Sequence, residues 1–112
     1  MKLEPFTIST PRLNLSGFRN QITSGVPIIS LHGWLDNAAS FELLSLKLHT
    51  RKVIALDLAG HGKSFHRPVN SPYYIWDNVA DIYLAMQALS IERIDLMGHS
   101  MGASVAMLFA AC

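Results

Sequence analysis

Three short apolar runs divide the chain: Val26-Pro27-Ile28-Ile29-Ser30-Leu31, Val53-Ile54-Ala55-Leu56-Asp57-Leu58 and Ile91-Glu92-Arg93-Ile94-Asp95-Leu96-Met97. Each is rich in Ile, Val and Leu and is bounded by glycine or polar turn residues, as strands buried on both faces of a sheet are. Between them the hydrophobic positions change period. Phe41, Leu44 and Leu48 recur at three and four residues, with Asp36 or Asn37 available as the cap. Val79, Ile82, Tyr83, Met86 and Leu89 recur likewise, in a helix that begins between Pro72 and Trp76, and residues 103–109 predict a further helix after the third run. Alternating strands and helices predict an α/β protein, with right-handed crossovers onto a parallel sheet and helices on both faces. Ahead of this unit, residues 6–9 and 12–18 read as shorter strands joined near Thr10-Pro11, an antiparallel hairpin at one sheet edge.

Composition narrows the picture. A chain of 112 residues, half of them hydrophobic and 15% charged, is expected to form one domain with a packed core. The net charge of +1 is spread without a basic cluster, so no nucleic-acid partner is expected. The longest apolar stretch, residues 105–112, has eight residues, against the roughly 20 that span a bilayer, so no membrane partner is expected either. Met1-Lys2-Leu3-Glu4-Pro5 lacks the charged and apolar regions of a secretory signal. The single cysteine, Cys112, cannot form an internal disulfide, which fits the cytoplasm. Nothing in the pattern sets an oligomeric state.

Each strand ends in a glycine-bearing loop, and ligands of open α/β sheets bind at those carboxyl ends. The third loop, Gly98-His99-Ser100-Met101-Gly102, spells G-x-S-x-G between a predicted strand and a predicted helix. That context places a serine on a strained turn with its hydroxyl exposed above the sheet. Lacking Cβ, the two glycines let strand and helix backbones close around it. A serine hydroxyl becomes a nucleophile only with a histidine base oriented by a carboxylate. Acyl transfer also needs two backbone N–H groups where negative charge develops. Met101 N–H, at a helix start, is one candidate, and Trp34 N–H, in the first loop His32-Gly33-Trp34, is the other. The second loop, Gly60-His61-Gly62-Lys63-Ser64, imitates a phosphate-binding loop. That motif requires glycine where this chain has Asp57, and a helix where residues 65–72 carry two prolines. Among the histidines, His99 should point away from Ser100, and His32 and His61 read as turn-stabilising residues bonded to backbone. None of the five, His49 and His66 included, has an acid partner at readable spacing.

With these loops assembled, the chain resembles the α/β-hydrolase superfamily, in particular its serine hydrolase-like branch. The carriers are Leu31-His32-Gly33-Trp34-Leu35-Asp36-Asn37-Ala38, Ser40-Phe41, the D-x-x-G-x-G-x-S loop from Asp57 to Ser64, and the GHSMG turn. The resemblance implies an eight-stranded, mostly parallel sheet with Ser100 as nucleophile and the Trp34 and Met101 amides as oxyanion hole. Gly98, His99, Gly102, His32 and Gly33 then support the elbow and its neighbouring loop. Serine at position 100 sets the chain apart from dehalogenase and epoxide-hydrolase branches, which carry aspartate there. No metal or organic cofactor is implied. Members of the superfamily usually run to more than twice this length, so residues 1–112 are expected to be the N-terminal part of one domain, incomplete before the triad acid and histidine. The expected activity is hydrolysis of a small-molecule carboxylic ester or related acyl compound through an acyl-enzyme on Ser100. The rival expectation is a non-catalytic fragment without turnover, poorly soluble because the Ile94-bearing strand is an unpaired edge. A binding module that recruits a partner strand at that edge is a third reading, with no residue of its own to support it.

Overall fold

The computed structural model describes residues 3–32, 51–62, 64 and 75–111. Its elements run β1 (Glu4–Ser9), β2 (Asn14–Arg19), β3 (Ile28–Leu31), β4 (Val53–Leu56), α1 (Ile75–Ala88), β5 (Asp95–Gly98) and α2 (Met101–Ala111). They form a five-stranded sheet in the order β1-β2-β4-β3-β5. The expected hairpin is present: β1 pairs antiparallel with β2, and β2 antiparallel with β4. The β4, β3 and β5 strands are mutually parallel, in the register Ile28↔Val53 and Ile28↔Asp95, so their carboxyl ends share one sheet edge. The helical segment marked by Phe41, Leu44 and Leu48, with its Asp36 or Asn37 cap, lies outside the described residues.

All four residues of β3 and of β4 are buried. Alternation sends Ile29, Leu31, Ile54 and Leu56 to the face covered by Ile82 and Ala85 of α1 and Val105 of α2. Each fully buried Ile or Leu there contributes about 1.5–3 kcal/mol. Gly17 marks a close approach inside β2, because a Cβ at that position would overlap the Ala55 carbonyl oxygen of β4. Arg12, in the β1–β2 turn, reaches Asp77 (3.7 Å) and buried Asp81 (3.8 Å) and ties the hairpin to α1.

The third strand differs from its sequence reading at both ends. It starts at Asp95 rather than Ile91, because residues 89–91 close α1. Ser90 adopts φ 56°, Ser90 N–H donates to Gln87 O (3.1 Å), and Ile91 N–H donates to Met86 O (2.9 Å). This is a Schellman cap, with serine at the left-handed position where glycine is usual. Ile91 and Ile94 reach the core from the connecting segment. β5 is also not buried on both faces. Among the described residues it is the last strand of the sheet, with Asp95 exposed and its other residues half-buried. Tyr83 likewise misses the core: it follows buried Ile82 by about 100° of helical rotation and is 55% exposed.

Candidate active site

The GHSMG turn joins β5 to α2 at the edge where the parallel strands end. Ser100 is exposed and has φ 56°, a backbone state that costs a non-glycine residue about 1–3 kcal/mol. Contacts on both sides hold it there. A Cβ on Gly98 would overlap the Gly102 carbonyl and approach Ala103 Cα to 2.6 Å. One on Gly102 would overlap the Leu31 carbonyl oxygen and approach His32 O to 2.6 Å. Only glycine at both positions lets strand, turn and helix pack so closely. His99 N–H donates to Leu31 O (3.0 Å), and the turn closes through Gly102 N–H to His99 O (2.9 Å) and Ala103 N–H to Ser100 O (3.0 Å). Met101 opens α2, where the helix provides no acceptor for its N–H and the helix dipole favours negative charge. An exposed serine thus sits beside a helix amino terminus.

The neighbouring loops are tied down by buried polar groups. His32 is fully buried, and its Nε2 accepts a hydrogen bond from Leu58 N–H (2.9 Å). His61 is buried with Nδ1 3.1 Å from Ala59 O, and the two imidazole centroids lie 4.8 Å apart. Asp57, just past β4, accepts from Ser16 Oγ of β2 (2.6 Å). Ser64 Oγ donates to Asp57 O (2.5 Å) and accepts from Ser16 N–H (2.8 Å). A side chain on Gly62, φ 52°, would run into the Asp57 carboxylate. His99 is exposed beside Ser100. The structure therefore brings Gly98, His99, Ser100, Met101 and Gly102 together against the end of β3 that bears His32. Gly33, Trp34 and Lys63 lie outside the described residues. Ser16 was not legible as a site-supporting residue; the adjacent Gly17, a glycine inside a strand pattern, is the one signal that could have flagged it.

The sequence pattern of the α/β-hydrolase fold family matches residues 26–111. The chain belongs to that family. It is 36% identical over 124 aligned residues to a serine hydrolase-like protein of Danio rerio, an alignment covering 99% of this chain and 38% of that protein. A probable serine hydrolase of Drosophila melanogaster is 40% identical over 87 residues, 76% of this chain and 26% of its own. The crystal structure of a hypothetical protein from Pseudomonas aeruginosa superposes with a TM-score of 0.90 at 44% identity, covering 98% of this chain and 39% of that one. The chain thus spans well under half the length of these relatives. No helix among the described residues is long and apolar enough to cross a membrane.

Proposed function

We propose that this chain carries the nucleophile of a serine hydrolase acting on carboxylic esters or related acyl compounds, in the cytoplasm. The observation that carries the reading is Ser100, exposed in a left-handed turn that Gly98 and Gly102 alone can accommodate. In the proposed reaction Ser100 Oγ attacks the acyl carbon, and its proton passes through a general base to the departing alkoxide. Water then attacks the acyl-serine, releasing the carboxylic acid and restoring the hydroxyl. Met101 N–H is the proposed oxyanion donor on this side of the site, and Trp34 N–H the proposed second. The general base is assigned to none of His32, His61 and His99. His32 already commits Nε2 to Leu58, His61 is buried against Ala59 O, and neither ring is free to shuttle a proton at Ser100. The names of the Danio and Drosophila relatives agree with hydrolase chemistry.

The test is covalent labelling with a fluorophosphonate probe in the protein purified from its native source. Mass spectrometry should place the adduct on Ser100, and Ser100→Ala should abolish both labelling and p-nitrophenyl ester turnover. Absence of any adduct on Ser100 would overturn the proposal in favour of a non-catalytic chain.

A further inference from the structure

The hydrogen bonds at the carboxyl edge of the sheet run in strand order towards the nucleophile turn. From β2, Ser16 binds the Asp57 carboxylate, while Asp57 N–H donates to Ser16 O (2.9 Å). From the end of β4, the next residue, Leu58, donates its N–H to His32 Nε2. From the end of β3, the Leu31 carbonyl receives His99 N–H, and the Leu31 and His32 carbonyls form the surface against which Gly102 sits. His32 is the link between the two halves of this series: its side chain faces β4 and its backbone faces the elbow.

We infer that His32 is a positioning residue for Ser100, acting as a neutral imidazole whose Nε2 accepts from Leu58 and so fixes the backbone seat of the nucleophile turn. An acceptor nitrogen carries no proton, so the ring proton resides on Nδ1. A buried aliphatic side chain could occupy the same space but would leave the Leu58 N–H without that acceptor. The role therefore depends on the nitrogen and not on bulk. His61 packs its ring against His32 and closes the same wall from the second loop. The inference rests on the serine-hydrolase reading only for its effect on reactivity; the effect on geometry stands apart from it.

The experiment uses isotopically labelled protein, unmodified and with His32→Leu or His32→Gln. Long-range proton–nitrogen spectra of the unmodified protein should show the Nδ1–H tautomer of His32; an Nε2–H tautomer or an imidazolium at neutral pH overturns the inference without any variant. In His32→Leu the amide resonances of His99, Ser100 and Met101 should move, and in His32→Gln, which keeps an acceptor of similar reach, they should return towards their original positions. The maximal rate of Ser100 labelling should fall about tenfold or more in His32→Leu, the rate equivalent of losing one buried hydrogen bond. Probe affinity should be unchanged, and His32→Gln should recover most of the rate. Unmoved elbow resonances in His32→Leu, or leucine serving as well as glutamine, overturn the inference. If the unmodified protein is not labelled at all, the hydrolase reading fails and the elbow resonances alone decide the role of His32. If His32→Leu does not fold, the tautomer and the His32→Gln spectra decide it.

Discussion

Two serines in this chain share one backbone state, and the comparison separates strain that closes a helix from strain that presents a nucleophile. Ser90 and Ser100 both have φ 56°. At Ser90 the conformation closes α1 through the bonds to Met86 and Gln87; at Ser100 it lifts a side chain out of the strand-to-helix junction. Glycine adopts this region freely, whereas other residues pay about 1–2 kcal/mol. Its greater freedom in the unfolded chain returns part of that difference. Ser90→Gly and Ser100→Gly should therefore each raise unfolding stability by about 0.5–1 kcal/mol in urea titrations. Only Ser100→Gly should eliminate fluorophosphonate labelling. A loss of stability on Ser100→Gly would show that the hydroxyl, not the turn, holds the backbone. The elbow was legible in the sequence because its two glycines are spaced around the serine. The Ser90 cap was not, because no glycine marks it.

At the level of elements, β4 is held at its end by more than sheet pairing. The bond from Ser16 Oγ to Asp57 Oδ2 spans from β2 to the loop after β4, in a setting where both residues are buried. Ser16→Ala should cost about 1–2 kcal/mol and Asp57→Asn about 1–3 kcal/mol, since each removes one side of a buried hydrogen bond to a carboxylate. Because the two act on one bond, the double variant should fall short of their sum by about 1 kcal/mol or more in a double-mutant cycle. Strict additivity would mean that the bond contributes nothing to anchoring the loop. The element pattern itself read well where burial is complete. Ile28–Leu31 is the first apolar run without Val26 and Pro27, and Val53–Leu56 is the second without Asp57 and Leu58, which turn into the site. Ile91 to Met97 misled because Ile91 and Ile94 are apolar for a different reason: they pack on the core from a helix cap and a connector. Tyr83 misled because helical spacing fixes a face only to within one residue, and the stripe that is buried centres on Asn78, Ile82 and Ala85.

At the scale of the whole sheet, the described residues hold the nucleophile turn through one seam, that of β5 with β3. β3 and β4 have hydrogen-bonded neighbours on both sides, whereas β5 is paired, among the described residues, with β3 alone. Asp95 N–H donates to Pro27 O and His99 N–H to Leu31 O (2.9 and 3.0 Å). By alternation Met97 N–H also points to β3, and the Leu96 and Gly98 N–H groups point the other way. Opening of a strand at a sheet edge needs far less than global unfolding, while central strands exchange only when the whole core opens. In hydrogen exchange, the amides of Ser30 and Ile54, which by alternation lie in the central β3–β4 seam, should therefore be the slowest. Met97 and His99 should be intermediate, and Leu96 faster than Met97 by about a hundredfold or more. Equal protection of Leu96 and Met97 would reveal that another strand covers the outer edge of β5 in solution. The elbow would then be braced from both sides. With the predicted ranking, the contacts of Leu31 and His32 with His99 and Gly102 are what keep Ser100 in place, and variants at that seam should matter more than any on the outer side of β5.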